Sequence, residues 1–122
     1  MAFRFYPAQH IRRRSDFESF RASSCRKHCS GFLLVGIENS KRDALPRIGI
    51  ISPKRVGNAP ERNYLRRVMR EIFRQTALPR GRDWLVVFYP SARQESFDSL
   101  KKSFAKGVED LQNLANVNPN SK

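Results

Sequence analysis

The sequence predicts an α+β fold: a single-domain α-β sandwich in the order α-β-β-α-β-α, with helices packed on a mixed sheet. Three observations predict it. Two segments place apolar residues at helical three- and four-residue steps behind a residue able to cap a helix start. Three short apolar runs read as strands. A long helical segment joins the second run to the third, which is a βαβ arrangement with parallel strands. The 122 residues suit one domain over 1–122, ordered over about 10–115 with frayed ends.

The first helix candidate opens at Ser15. Ser15-Asp16-Phe17-Glu18 has the capping-box pattern, and Phe17 and Phe20 follow three residues apart on one face. It runs to about Ser23, and Arg12-Arg13-Arg14 precedes it. The strand candidates are Phe32 to Ile37, Arg47 to Ser52 and Asp83 to Tyr89. The polar stretch Glu38 to Asp43 suits an antiparallel hairpin between the first two. The central helix is expected from Ala59 to about Thr76, capped by Asn58 with Glu61 three positions on, and Pro60 is tolerated in its first turn. The last helix opens at Ser96 and carries Phe97, Leu100, Phe104, Val108, Leu111 and Leu114 as a core-facing stripe.

Charge narrows the function. Lys and Arg number 24 against 11 Asp and Glu, a formal net charge of +13. Such an excess attracts polyanions, nucleic acid first among them. A membrane is a poor alternative, because no apolar run approaches the roughly 20 residues needed to span one. Met1 to His10 lacks the apolar core of a secretory signal. The expected location is cytoplasmic, with Cys25 and Cys29 as thiols. Cys25, His28 and Cys29 lie close together, but a structural zinc site needs four ligands, and only His10 remains. No metal site is expected on the protein.

The central helix carries the clearest chemistry. On a helical wheel Leu65, Val68, Met69, Ile72 and Phe73 share one face. Arg62, Arg66, Arg67, Arg70 and Arg74 take an adjoining flank and the far side, whereas Glu61, Glu71 and Gln75 take the other flank. A merely solvated helix would mix signs and use Lys as readily as Arg. Arginine offers a planar fork that matches phosphate bidentately. Asn63 lies beside the stripe and can bond a base edge or a ribose hydroxyl. Before the helix, Ser52-Pro53-Lys54-Arg55-Val56-Gly57-Asn58 joins a strand end to a helix N-terminus, where free N–H groups can meet phosphate. Gly57 permits a tight turn there. The segment matches neither the P-loop nor the dinucleotide fingerprint.

The run RIGIISPKRVGNAPERNYLRRVMREIF, Arg47 to Phe73, resembles the signature of the bacterial ribonuclease P protein. That family pattern is a basic-apolar-Gly strand, a basic Gly-Asn-Ala turn, then Arg-Asn and paired basic residues on a helix. Ser15-Asp16-Phe17 resembles its first helix, Asp83 to Pro90 its last strand and Ser96 to Phe104 its last helix. The chain departs from the family in reading Arg62-Asn63-Tyr64 where Arg-Asn-Arg is usual, in Pro53 and Pro60, and in the spacing of Phe17 and Phe20.

The resemblance implies a left-handed βαβ crossover, against the right-handed rule. It implies a protein subunit of ribonuclease P, an endoribonuclease that hydrolyses a phosphodiester to remove the 5′ leader of precursor tRNA. The catalytic RNA is the obligate partner and the catalyst, with Mg²⁺ held mainly by that RNA. No catalytic side chain is assigned to the protein, which is expected to be monomeric in the complex. Arg55, Arg62, Asn63, Arg66, Arg67 and Arg70 would meet the catalytic RNA. A cleft between the first helix and the sheet would hold the leader, using Arg12, Arg13, Arg14, Phe17, Phe20, Phe32 and Lys54. For Phe20 and Phe32 plain core packing is the competing reading.

Other classes compete. A structural or ribosomal RNA-binding protein fits the charge equally well and is separated only by the signature. A protein-only nuclease needs a carboxylate cluster or a histidine base. The acidic residues are scattered, and His10 and His28 stand in basic segments. A DNA-binding helix-turn-helix needs two further helices where strands are read.

Overall fold

In the computed structural model, which describes residues 25–38 and 45–117, four strands form one sheet. They are β1 (Arg26–Cys29), β2 (Phe32–Glu38), β3 (Arg47–Ile51) and β4 (Arg82–Phe88), in the order β1-β2-β4-β3. Helix α1 (Ala59–Gln75) joins β3 to β4, and helix α2 (Phe97–Val117) follows β4. Short 3₁₀ turns at Lys54–Val56 and Pro90–Gln94 precede the two helices. The helix candidate at Ser15 to Ser23, and Asn39 to Asp43 of the polar turn, lie outside the described residues.

The expected hairpin between β2 and β3 does not form. β4 lies between them, antiparallel to β2 from Phe32↔Phe88 to Glu38↔Arg82 and parallel to β3 from Arg47↔Asp83 to Ile51↔Val87. The physical reason is the composition of β4. It buries Trp84, Val86 and Phe88 on one face and Leu85 on the other, and a strand apolar on both faces belongs inside a sheet. The parallel βαβ unit β3-α1-β4 is as expected. The tight hairpin is β1–β2, closed at Gly31, whose φ of 90° is costly for a residue with a Cβ. β1, read Arg-Lys-His-Cys, carries too little apolar character to stand out from a basic loop.

Both helices pack on one face of the sheet. Leu65, Met69 and Ile72 of α1 and Leu100, Phe104, Val108 and Leu111 of α2 meet Phe32, Leu34, Ile48, Trp84, Val86 and Phe88. The Leu114 side chain lies outside the described residues. The opposite face carries Leu33, Val35, Ile37, Leu85 and Val87. On that face Arg47 forks onto Asp83, with Nε 3.2 Å from Oδ1 and the second terminal nitrogen 2.6 Å from Oδ2.

Strand alternation corrects one reading and separates the cysteines from His28. Phe32 points to the helix side, fully buried against Phe88 and Phe104 at ring-centroid distances of 6.2 and 6.5 Å. It is a core residue, with no ring face free to stack on a leader. Cys25 and Cys29 pack against the core on that same side, whereas His28, one step out of phase, is exposed and bonds the Tyr89 hydroxyl at 2.5 Å. The close Cys-His-Cys spacing therefore does not converge.

Candidate RNA-binding surface

α1 begins where the sequence places it. The Asn58 side chain accepts from the Glu61 N–H at 2.9 Å, and Glu61 accepts in return from the Asn58 N–H at 2.8 Å. Gly57 serves this cap through space, not through its backbone angle: its φ of 164° is ordinary extended chain, but an added Cβ would overlap Oε1 of Glu61. The closed cap revises the expectation of free N–H groups at this helix start. The N–H groups of Val56, Gly57, Asn58 and Glu61 are all bonded within the turn and cap, and a carboxylate occupies the helix start. Lys54 and Arg55 are exposed on the 3₁₀ turn.

The arginine face separates into two kinds of residue. Arg74 is neutralised by Glu71 at 2.6 Å, which raises the arginine pKa and lowers that of Glu71, the hydrogen bond being the main cause in both. Arg62, Arg66, Arg67 and Arg70 have no carboxylate partner among the described residues. Arg66 is aimed: it donates to the buried Ser52 hydroxyl at 2.6 Å and to Asn63 Oδ1. Asn63 has therefore committed its acceptor and keeps its amide donors. The Nε atoms of Arg62 and Arg70 are buried without a partner, so their stems lie against the protein. Arg67 stacks over the Tyr64 ring, 5.7 Å from its centroid.

The structure thus brings Arg62, Asn63, Arg66, Arg67 and Arg70 onto one flank of α1, with Lys54 and Arg55 on the turn before it. Arg12, Arg13, Arg14, Phe17 and Phe20 lie outside the described residues. Two features escaped sequence reading. Ser52 anchors Arg66 across fourteen positions. Arg93 reaches from the Pro90–Gln94 turn to Glu61 at 3.1 Å. Neither contact has a local sequence signal.

Three further carboxylates are engaged structurally. Asp83 holds Arg47. Asp110 holds Lys27 at 3.1 Å, which lowers its pKa. Glu95 accepts from the Ser99 hydroxyl at 2.5 Å. No group of three or more His, Cys, Asp or Glu converges as a metal site among the described residues, and no described helix is long and apolar enough to cross a membrane.

Comparison with known proteins identifies the family. The family model described as Ribonuclease P matches residues 5–112. A ribonuclease P protein component of Geotalea uraniireducens is 28% identical over 113 residues, covering 89% of this chain and 96% of the relative. That of Chlamydia caviae is 28% identical over 102 residues, covering 83% and 71%. Among solved structures, the ribonuclease P protein of Thermotoga maritima has a TM-score of 0.73 at 23% identity, covering 83% of this chain and 96% of that one. A Staphylococcus aureus ribonuclease P protein mutant with defective mRNA degradation activity has a TM-score of 0.76 at 22% identity, covering 86% and 89%. The match extends over nearly the whole chain and the fold agrees with it, so this chain belongs to the bacterial ribonuclease P protein family.

Proposed function

We propose that the chain is the protein subunit of ribonuclease P, that it binds the catalytic RNA through α1, and that it helps remove the 5′ leader of precursor tRNA. The observation that carries the RNA contact is the set of four arginines on α1 without carboxylate partners among the described residues. A solvated helix would neutralise them as Glu71 neutralises Arg74. Arg62, Asn63, Arg66, Arg67 and Arg70, with Arg55 on the preceding turn, meet the catalytic RNA. Lys54, with Arg12, Arg13, Arg14, Phe17 and Phe20, meets the leader. Hydrolysis belongs to the RNA and the Mg²⁺ it holds. In support, Glu61, Glu71, Asp83, Glu95 and Asp110 are held by a cap, ion pairs and a serine hydroxyl, and the role this reading gives the protein is docking and neutralising charge.

Reconstitution tests this. Catalytic RNA of the ribonuclease P type is incubated with labelled precursor tRNA at low Mg²⁺, with and without the chain. Cleavage at the mature 5′ end that needs the intact chain, and is lost with the triple change Arg62→Ala, Arg66→Ala, Arg67→Ala, is the expected result. RNA binding without any effect on cleavage refutes the role in processing.

A further inference from the structure

Beside the arginine flank, on the other side of Tyr64, α1 and the segment after β4 enclose an open cleft of about 500 Å³. Its walls include Pro60, Tyr64, Pro90, Arg93, Gln94 and Glu95. We propose that this cleft receives one unpaired guanine base of the catalytic RNA, stacked on Tyr64 and held at its edge by Glu95 and Gln94. The inference rests on the RNA-docking role proposed for α1 and names a specificity pocket beside it.

Four observations carry it. The volume lies in the range of roughly 300–1,000 Å³ typical of sites for small planar ligands. Tyr64 is a large aromatic left 52% exposed, and exposed aromatics beside basic grooves are stacking platforms for single-stranded bases. Its ring is already fixed by Arg67. The polar lining then selects the base and excludes the backbone. Glu61 and Glu95 face a single cation, Arg93, which is itself paired with Glu61. Such a lining repels phosphate and welcomes a neutral ring with hydrogen-bond donors. Glu95 has one oxygen taken by Ser99, and its second has no partner among the described residues. A free carboxylate oxygen beside an amide matches the adjacent ring N–H and amino donors of guanine better than the edge of uracil. The arginines alongside would hold the phosphates flanking the base. The cleft and the stripe then share one strand, the first reading a base and the second its backbone.

The test uses the full chain with ribonuclease P catalytic RNA, reading affinity and the reactivity of unpaired guanines to kethoxal. Variants are Tyr64→Ala, Tyr64→Phe, Glu95→Gln and Arg66→Ala, each checked by thermal melting to be folded. One guanine of the catalytic RNA should be protected by the parent chain and by Tyr64→Phe, and exposed with Tyr64→Ala and Glu95→Gln. Tyr64→Ala should weaken binding about 5- to 150-fold, the range for losing one stacked base, with the same salt dependence as the parent. If Arg66→Ala weakens binding while Tyr64→Ala changes neither affinity nor protection, the pocket is refuted and the docking role stands. A loss at Tyr64 that appears only as a shallower salt dependence, without a protected guanine, makes Tyr64 part of the backbone contact and also overturns the pocket. Protection confined to a guanine in the leader of precursor tRNA refutes the catalytic RNA as the source. Absence of RNA binding by the parent chain removes both readings.

Discussion

Replacing Arg62, Arg66, Arg67 and Arg70 with glutamine removes four guanidinium charges that have no carboxylate partner among the described residues. If each lies on a phosphate, each releases condensed counterions on binding, and each adds about 0.7–0.9 to the slope of log affinity against log salt. Across a fourfold rise in salt, from about 50 to 200 mM, one such contact is worth roughly threefold in affinity and four together on the order of 100-fold. Arg74 is the internal control. Its charge is already offset by Glu71 at 2.6 Å, so Arg74→Gln should leave the slope nearly unchanged. The assay is fluorescence anisotropy of labelled catalytic RNA titrated with the chain at several K⁺ concentrations and fixed Mg²⁺. Each single substitution should flatten the slope by just under one, and the quadruple variant by about three. An Arg74→Gln variant that flattens the slope as much as Arg66→Gln would show that carboxylate pairing does not decide which arginines act. A quadruple variant with the parental slope would place the RNA on another face.

Four further outcomes test the fold beneath this surface. Asp83→Ala leaves Arg47 half-buried without its fork partner. Asp83 is only 2% exposed, so the loss should be about 3 kcal/mol, read as a fall of roughly 10 °C in Tm. Phe32→Ala empties a fully buried site between Phe88 and Phe104 and should cost about 3–5 kcal/mol in denaturant unfolding; a cost below about 1 kcal/mol would return Phe32 to the surface. Gly57→Ala pushes the Glu61 carboxylate out of its cap and should cost about 1 kcal/mol in the same measurement, whereas an unchanged midpoint would mean that the cap re-forms around the methyl. Burial, the largest cause, raises the Cys29 thiol above its ordinary value of 9.0, against the opposing Ser103 hydrogen bond and Lys27 charge. Alkylation of Cys29, followed by mass spectrometry, should therefore reach half its limiting rate at a higher pH than that of a free thiol, since the thiolate is the reactive form. A midpoint at or below the free-thiol value would contradict the burial.

What could be read from the chain followed locality. The Asn58–Glu61 cap, the buried stripe Leu65, Val68, Met69, Ile72 and Phe73, and the arginine flank are all set within one or two turns of helix, so neighbouring residues determine them. The parallel β3-α1-β4 unit was legible for a related reason: a helix of that length between two strands leaves few other connections. β1 was missed because its inward positions are Lys27 and Cys29, and the lysine's place there depends on Asp110 of α2, more than eighty residues away.

The sequence by itself determined the charge, the helix that concentrates it, and the signature that names the family. Only the tertiary structure decided the strand order, because pairing energy is non-local and β4, apolar on both faces, takes the interior between β2 and β3. The same packing turned Phe32 inward, since strand parity relative to the helices is a property of the assembled sheet. It set Ser52 under Arg66 and brought the Pro90–Gln94 turn across from Tyr64 to form a cleft. Those contacts join residues far apart in the chain, and chain closure creates them only when the core forms.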